Sequence, residues 1–210
     1  MASETMIGRN INVNLKLLNP SFNNYERIVT LKVVDVLGDY CVTCFEKCEY
    51  SNKKQFPEKN TSLITAFTDV KTGDGYTLRF QVVGVTGKQQ KQLKSNCYAN
   101  NSQKKALRLM MQNEIQQEFS GKDLNSCCNS LFSNVAEEAI LKSSRSIYSF
   151  SASKIFKMKV VASPQLDLVG LLSHHGGVDN FKSSLANSSA KMTDIPHIDL
   201  KEADEGEVLV

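Results

Sequence analysis

The chain has 210 residues, 41% of them hydrophobic, which suits one packed domain with tails and excludes wholesale disorder. No apolar run reaches the roughly eighteen residues of a membrane-spanning helix, and the start, MASETMIGRNINVN, lacks the features of a secretory signal. Net charge is +3 but unevenly spread: +1 over residues 1–68, +7 over 69–160 and −5 over 161–210, so the basic middle is the candidate footprint for a polyanion.

In chain order, INVNLKLL sets Ile11, Val13, Leu15 and Leu17 in alternation with polar residues, the period of a half-buried strand. RIVTLKVVDVLGDYCVTCFE reads as two β-rich runs joined at Gly38-Asp39, a hairpin. Residues 49–61 read as a polar loop. LITAFTDVKT is the next strand, and Gly73-Asp74-Gly75 supplies its turn. The strand that follows puts Tyr76, Leu78, Phe80 and Val82 on an apolar face and Thr77, Arg79 and Gln81 on the other.

The period then lengthens. Leu107, Met111 and Ile115, with Met110 and Phe119 beside them, predict a helix capped by Ser102 and stopped at Ser120-Gly121, with Lys104, Lys105, Arg108, Gln112 and Gln116 towards solvent. A second helix is expected from Asn134, with Glu137 completing a capping box, towards Arg145. SKIFKMKVVASP returns to strand, with Phe156, Met158 and Val160 facing one way and Lys157 and Lys159 the other. The fold class expected is α+β: a mostly antiparallel sheet or barrel core, two helices inserted before a final strand, and a loose tail. Residues 1–177 form the core domain in this reading, and the acidic, Ser/Asn-rich stretch 178–210 is a tail that orders only on a partner.

A phosphate-binding loop, a nucleic-acid surface and a solvated loop compete for the basic middle, and two further clusters along the chain are candidates for chemistry. GVTGK, residues 84–88, follows a strand as a phosphate loop would, but only Val85 and Thr86 separate its glycines and Gln89 follows Lys88 where Ser or Thr should hold magnesium. The pair His174-His175 has no nucleophile or ligand spacing around it. Cys41, Cys44 and Cys48 contain half of a zinc knuckle; a closed site needs four ligands, and Cys97, Cys127, Cys128 and the three histidines are the only other soft ones. No cofactor or metal is expected, and Cys41 and Cys44 read as small hydrophobes on opposite faces of a strand.

Nucleic acid fits better. Lys71 and Arg79 flank the hairpin turn, Lys88, Lys91 and Lys94 recur every three residues in a Gln-rich loop, and Tyr98 precedes Lys104, Lys105 and Arg108. Long cations neutralise phosphates, an arginine fork grips them bidentately, and a tyrosine can stack on an exposed base. The competing reading is a basic face that is merely solvated.

DVKTGDGYTLR, residues 69–79, resembles the signature of the S-three-a family of eukaryotic and archaeal small-subunit ribosomal proteins. The similarity runs on through QLKSNCYA, LRLMMQ, RSIY, KIFKMKVV and LVGLLSHHGG in constant order over residues 63–177. It implies a β-barrel-like sheet with appended helices and no catalysis. The implied role is a structural constituent of the small ribosomal subunit, on the platform near the messenger exit. The implied partners are small-subunit ribosomal RNA and neighbouring ribosomal proteins, with messenger RNA and initiation factors close by and no membrane. The implied location is cytoplasmic ribosomes, with assembly in the nucleolus.

By position the resemblance gives Lys71, Arg79, Lys94, Tyr98, Arg108, Lys157 and Lys159 a role at or beside the RNA surface, and it leaves Tyr76 in the core. The chain departs from the family in lacking a lysine-rich arm before the first strand, in a shorter segment 49–62 without tryptophan, in Leu109 where the family is basic, and in Ser149 where proline is usual. A free RNA-binding translation factor and a zinc or thiol enzyme are the alternative readings.

Overall fold

In the computed structural model the described residues are 5–18, 27–37, 40–52, 56, 59–89 and 92–164. All fall within the first of two compact units, residues 1–166. The second unit, 167–210, lies outside them, and with it His174, His175, His197 and the tail expected from residue 178.

Six strands form one sheet: β1 (Asn10–Asn14), β2 (Arg27–Leu37), β3 (Tyr40–Tyr50), β4 (Leu63–Lys71), β5 (Thr77–Thr86) and β6 (Phe150–Ala162). Their order is β1-β2-β3-β6-β5-β4, and every neighbouring pair is antiparallel. Of the two expected forms, sheet and barrel, this is the open sheet, with β1 and β4 at its ends. The helices that accompany it among the described elements are the single turn α1 (Leu15–Leu18), then α2 (Asn101–Phe119), α3 (Leu124–Phe132) and α4 (Val135–Ser144). The last three lie between β5 and β6 in the chain, and β6 then returns to the middle of the sheet.

One cross-strand row shows how the core is made. Val13, Val29, Cys48, Met158, Phe80 and Thr68 are successive partners from β1 to β4, and Val29, Cys48, Met158 and Phe80 are all buried in the main core. Onto this face α2 lays the stripe Leu107, Met111, Ile115 and Phe119, each fully buried, as the helical period predicts. Phe119 meets Phe80 with ring centroids 4.5 Å apart. Fully burying side chains of this size contributes about 1.5–3 kcal/mol each before entropy is counted.

The departures from the sequence reading have local causes. β1 stops at Asn14 because its side-chain Oδ1 accepts the Lys16 N–H at 3.1 Å, an Asx turn that bends the chain into α1. Leu15 is therefore buried while Leu17 is 80% exposed. The α2 cap is Asn100 rather than Ser102: the Asn100 N–H donates to Gln103 Oε1 at 2.9 Å. Ser120 and Gly121 end the helix as expected, with Gly121 at φ +71°, a left-handed conformation that favours glycine.

Periodicity assigns no element to residues 122–133, of which Leu124–Phe132 form α3 with Cys127 and Leu131 buried. The hairpin turn provides its cap, since Asp74 Oδ2 accepts the Leu124 N–H at 2.8 Å.

In β6, Phe156 does not share a face with Met158. The pairing passes from Gln81↔Lys157 to Val82↔Ile155, so Phe156 is the extra residue of a β-bulge. The bulge turns Phe156 to the opposite face, where it stacks on Tyr50 at 5.9 Å and meets Phe56 edge-on.

Candidate nucleic-acid interface

The face of the sheet away from α2 carries two polar rows, one on each side in register of a core row. The first runs Asn12, Thr30, Lys47, Lys159, Arg79, Asp69 across all six strands. The second, two residues along each strand, runs Asn14, Ile28, Glu49, Lys157, Gln81, Phe67. The two-residue period of a strand puts both rows on one side. Lys47, Lys159 and Arg79 thus stand on three adjacent strands with backbones about 5 Å apart. Beside them is a groove of about 210 Å3 lined by Asn12, Ile28, Thr30, Lys47, Glu49, Tyr50 and Ser51.

Both carboxylates on these rows are paired with cations. Arg79 donates from Nε to Asp69 Oδ1 at 2.7 Å and from Nη2 to Oδ2 at 2.8 Å, the parallel two-bond fork. Those hydrogen bonds hold the Asp69 carboxyl below its ordinary range. Glu49 Oε1 receives both Lys47 Nζ and Lys157 Nζ at 3.0 Å. Lys159 is exposed and has no ion pair among the described residues.

The residues singled out in the sequence fall into two groups. Arg79, Lys157 and Lys159 come together on the open face, and Lys71 lies on the same side at the end of β4. Lys88, Lys94 and Tyr98 sit instead on the loop from β5 to α2, and Lys104, Lys105 and Arg108 on α2 itself. Lys91 lies outside the described residues.

The described residues of that loop are tied by hydrogen bonds. Gln92 Nε2 donates to the carbonyls of Lys94 at 3.0 Å and Asn96 at 2.7 Å, and buried Thr86 donates to the Cys97 carbonyl at 2.5 Å. Lys88 and Lys94 project into solvent, and Tyr98 is 59% exposed. Lys88→Glu with Lys94→Glu is therefore expected to leave the melting temperature within about 2–4 °C, since two exposed substitutions of at most about 0.5 kcal/mol each sum to about 1 kcal/mol. Differential scanning fluorimetry reads this directly, and a drop of many degrees would show the loop to be part of the core.

Lys47 was not among the sequence candidates, nor were the carboxylates that pair with the row. Only the register between β3 and β6, elements over a hundred residues apart, brings Lys47 beside Lys159. A second missed cluster is buried. Arg27 donates to Glu137 Oε1 at 2.7 Å and to the Ile155 carbonyl at 3.1 Å; Lys154 reaches Glu137 Oε2 at 2.8 Å, and the Ile155 N–H donates to Glu137 Oε1 at 3.0 Å. Asn134 Oδ1 accepts from Arg27 at 3.3 Å, and Asn134 itself is left-handed at φ 57°. The expected capping box does not form because both of its side chains serve Arg27.

The glycine loop at 84–88 belongs partly to β5, where a Cβ on Gly84 would come within 2.8 Å of the Phe150 ring. Packing accounts for the glycine there. Of the clustered thiols, Cys41 is exposed, Cys44 partly so, and Cys48 lies in the core. Among the described residues no three His, Cys, Asp or Glu side chains gather as metal ligands would.

Burial pushes the Cys48 thiol up to about 11, against the pull of Arg27. Since the folded value lies above the ordinary 9.0, Cys48 stabilises the fold fully below pH 9 and loses that contribution as pH rises through about 11. Iodoacetamide at pH 8 should modify Cys41 while Cys48 stays protected until denaturant is added. Peptide mass spectrometry reads the order; rapid modification of Cys48 in the native protein would contradict its burial.

Comparison with known proteins adds to this geometry. The model of the ribosomal S3Ae family matches residues 1–164. A protein of Babesia bovis named small ribosomal subunit protein eS1 is 33% identical over 177 residues, which cover 83% of this chain and 67% of that protein.

Proposed function

The chain belongs to the ribosomal S3Ae family, and from that premise we propose that it is a structural constituent of the small ribosomal subunit that binds small-subunit ribosomal RNA. The observation that carries this reading is the family match, which spans every strand and helix described. The lysines and the arginine on the open face and the basic β5–α2 loop support it, since both offer long cations to a phosphate backbone. Its role is positional rather than catalytic: it fills a place between RNA and neighbouring proteins on the platform near the messenger exit, within reach of messenger RNA and initiation factors. It works in cytoplasmic ribosomes after assembly in the nucleolus. Residues 1–177 are the part that seats in the subunit, and 178–210 form an acidic tail that meets a protein neighbour rather than RNA.

Ultraviolet crosslinking of small subunits carrying the tagged chain, followed by sequencing of the attached RNA, tests this placement. Adducts concentrated on small-subunit ribosomal RNA around the messenger exit are expected. Adducts confined to other RNAs would overturn the reading.

A further inference from the structure

Within the two rows of the open face, every carboxylate is bound to a cation that an RNA phosphate would also seek. Asp69 fills the Arg79 fork with the same two-bond geometry a phosphate uses, at 2.7 and 2.8 Å. Glu49 places one oxygen 3.0 Å from both Lys47 and Lys157, as a phosphate oxygen bridging two ammonium groups would. These pairs are open to water: the side chains of Arg79 and Asp69 are 54% and 46% exposed, and Lys47, Lys157 and Glu49 are about one-third to one-quarter exposed. Such exposed pairs are weak and screened by salt, so a phosphate can replace the carboxylate. Lys159 stands between them without an ion-pair partner among the described residues and is placed to make the first contact.

We propose that Asp69 and Glu49 act as built-in phosphate surrogates. In the free protein they occupy Arg79, Lys47 and Lys157; when the open face is seated on RNA, phosphates of a strand crossing the sheet take their places. The inference rests on the proposed binding of ribosomal RNA and adds which surface receives it and how that surface is kept from other RNA. Its consequence is specific in sign. Neutralising two acids, which leaves every cation in place, should strengthen binding and make it more sensitive to salt, because up to three more cations are free to displace counterions.

The test uses the full 210-residue chain and a fluorescein-labelled single-stranded RNA of mixed sequence, with anisotropy read across a salt series. Asp69→Asn with Glu49→Gln should bind about three- to tenfold more tightly than the unaltered chain, in line with three weak, solvent-accessible pairs released, and with a steeper salt slope. Asp69→Asn alone, at a site half exposed to solvent, should show part of the gain and guards against misfolding of the double variant. Lys159→Glu should abolish the gain.

Unchanged or weaker binding by both carboxamide variants would overturn the surrogate role. If Lys88→Glu with Lys94→Glu then weakens binding, RNA is held by the loop and the ribosomal reading stands without this inference. If neither set of changes matters and the crosslinking above finds no ribosomal RNA, the functional reading fails instead.

Discussion

Glu137→Ala is expected to lower the unfolding free energy by about 3–5 kcal/mol, the usual cost of removing one partner from a buried ion pair. Arg27 is 1% exposed and Glu137 2%, so neither charge has water to fall back on. Both carboxylate oxygens are used: Oε1 takes Arg27 and the Ile155 N–H, and Oε2 takes Lys154. Removing the carboxylate leaves the guanidinium charge unpaired, and its Nε has no hydrogen-bond partner among the described residues. It also unties β2 and β6 from α4, because the pair bridges all three. Urea unfolding followed by circular dichroism measures the loss as a lower midpoint at unchanged slope. The paired replacement Arg27→Met with Glu137→Leu should recover most of it, since a buried pair exchanged for apolar groups of similar volume is often neutral. A Glu137→Ala variant within 1 kcal/mol of the parent would show that water reaches this site.

Phe80→Ala carries the second large effect, about 3–5 kcal/mol, because the ring is wholly buried between the sheet and α2 and leaves a cavity when removed. Its contact with Phe119 makes the two positions dependent on one another. Phe119→Ala added to Phe80→Ala should therefore cost less than the sum of the single changes, as the two would share one void. Phe67 is the internal control. It lies on the opposite face and is 56% exposed, so Phe67→Ala should stay within about 0.5 kcal/mol. Equal losses at Phe67 and Phe80 would mean that the open face is covered in the free protein, contrary to the placement of the polar rows.

The sequence carried the local periods well. The stripe from Leu107 to Phe119 and the alternation from Leu78 to Val82 are both buried where their periods place them, because each depends only on the geometry of its own element. Long-range partnerships were not legible. Asn134 and Glu137 have the spacing of a capping box, yet Arg27, more than a hundred residues away, claims both side chains. Phe156 has the spacing of Met158, yet a bulge that depends on pairing with β5 reverses its face.

The candidate interface divides in the same way. Lys157 and Lys159 were visible as the polar side of a strand. Lys47 was not, because its meaning comes from the strand it pairs with. The turn TGDG was legible as a turn, but not as the cap of α3, which depends on where the helices return.

The central claim is membership of the small subunit, and sedimentation tests it most directly. The tagged chain, expressed in its own cells, is followed through a sucrose gradient before and after a high-salt wash. Stoichiometric co-migration with small subunits and polysomes that survives the wash is the predicted result. Release by the wash, or a position only at the top of the gradient, would contradict it and indicate a transient RNA-binding factor.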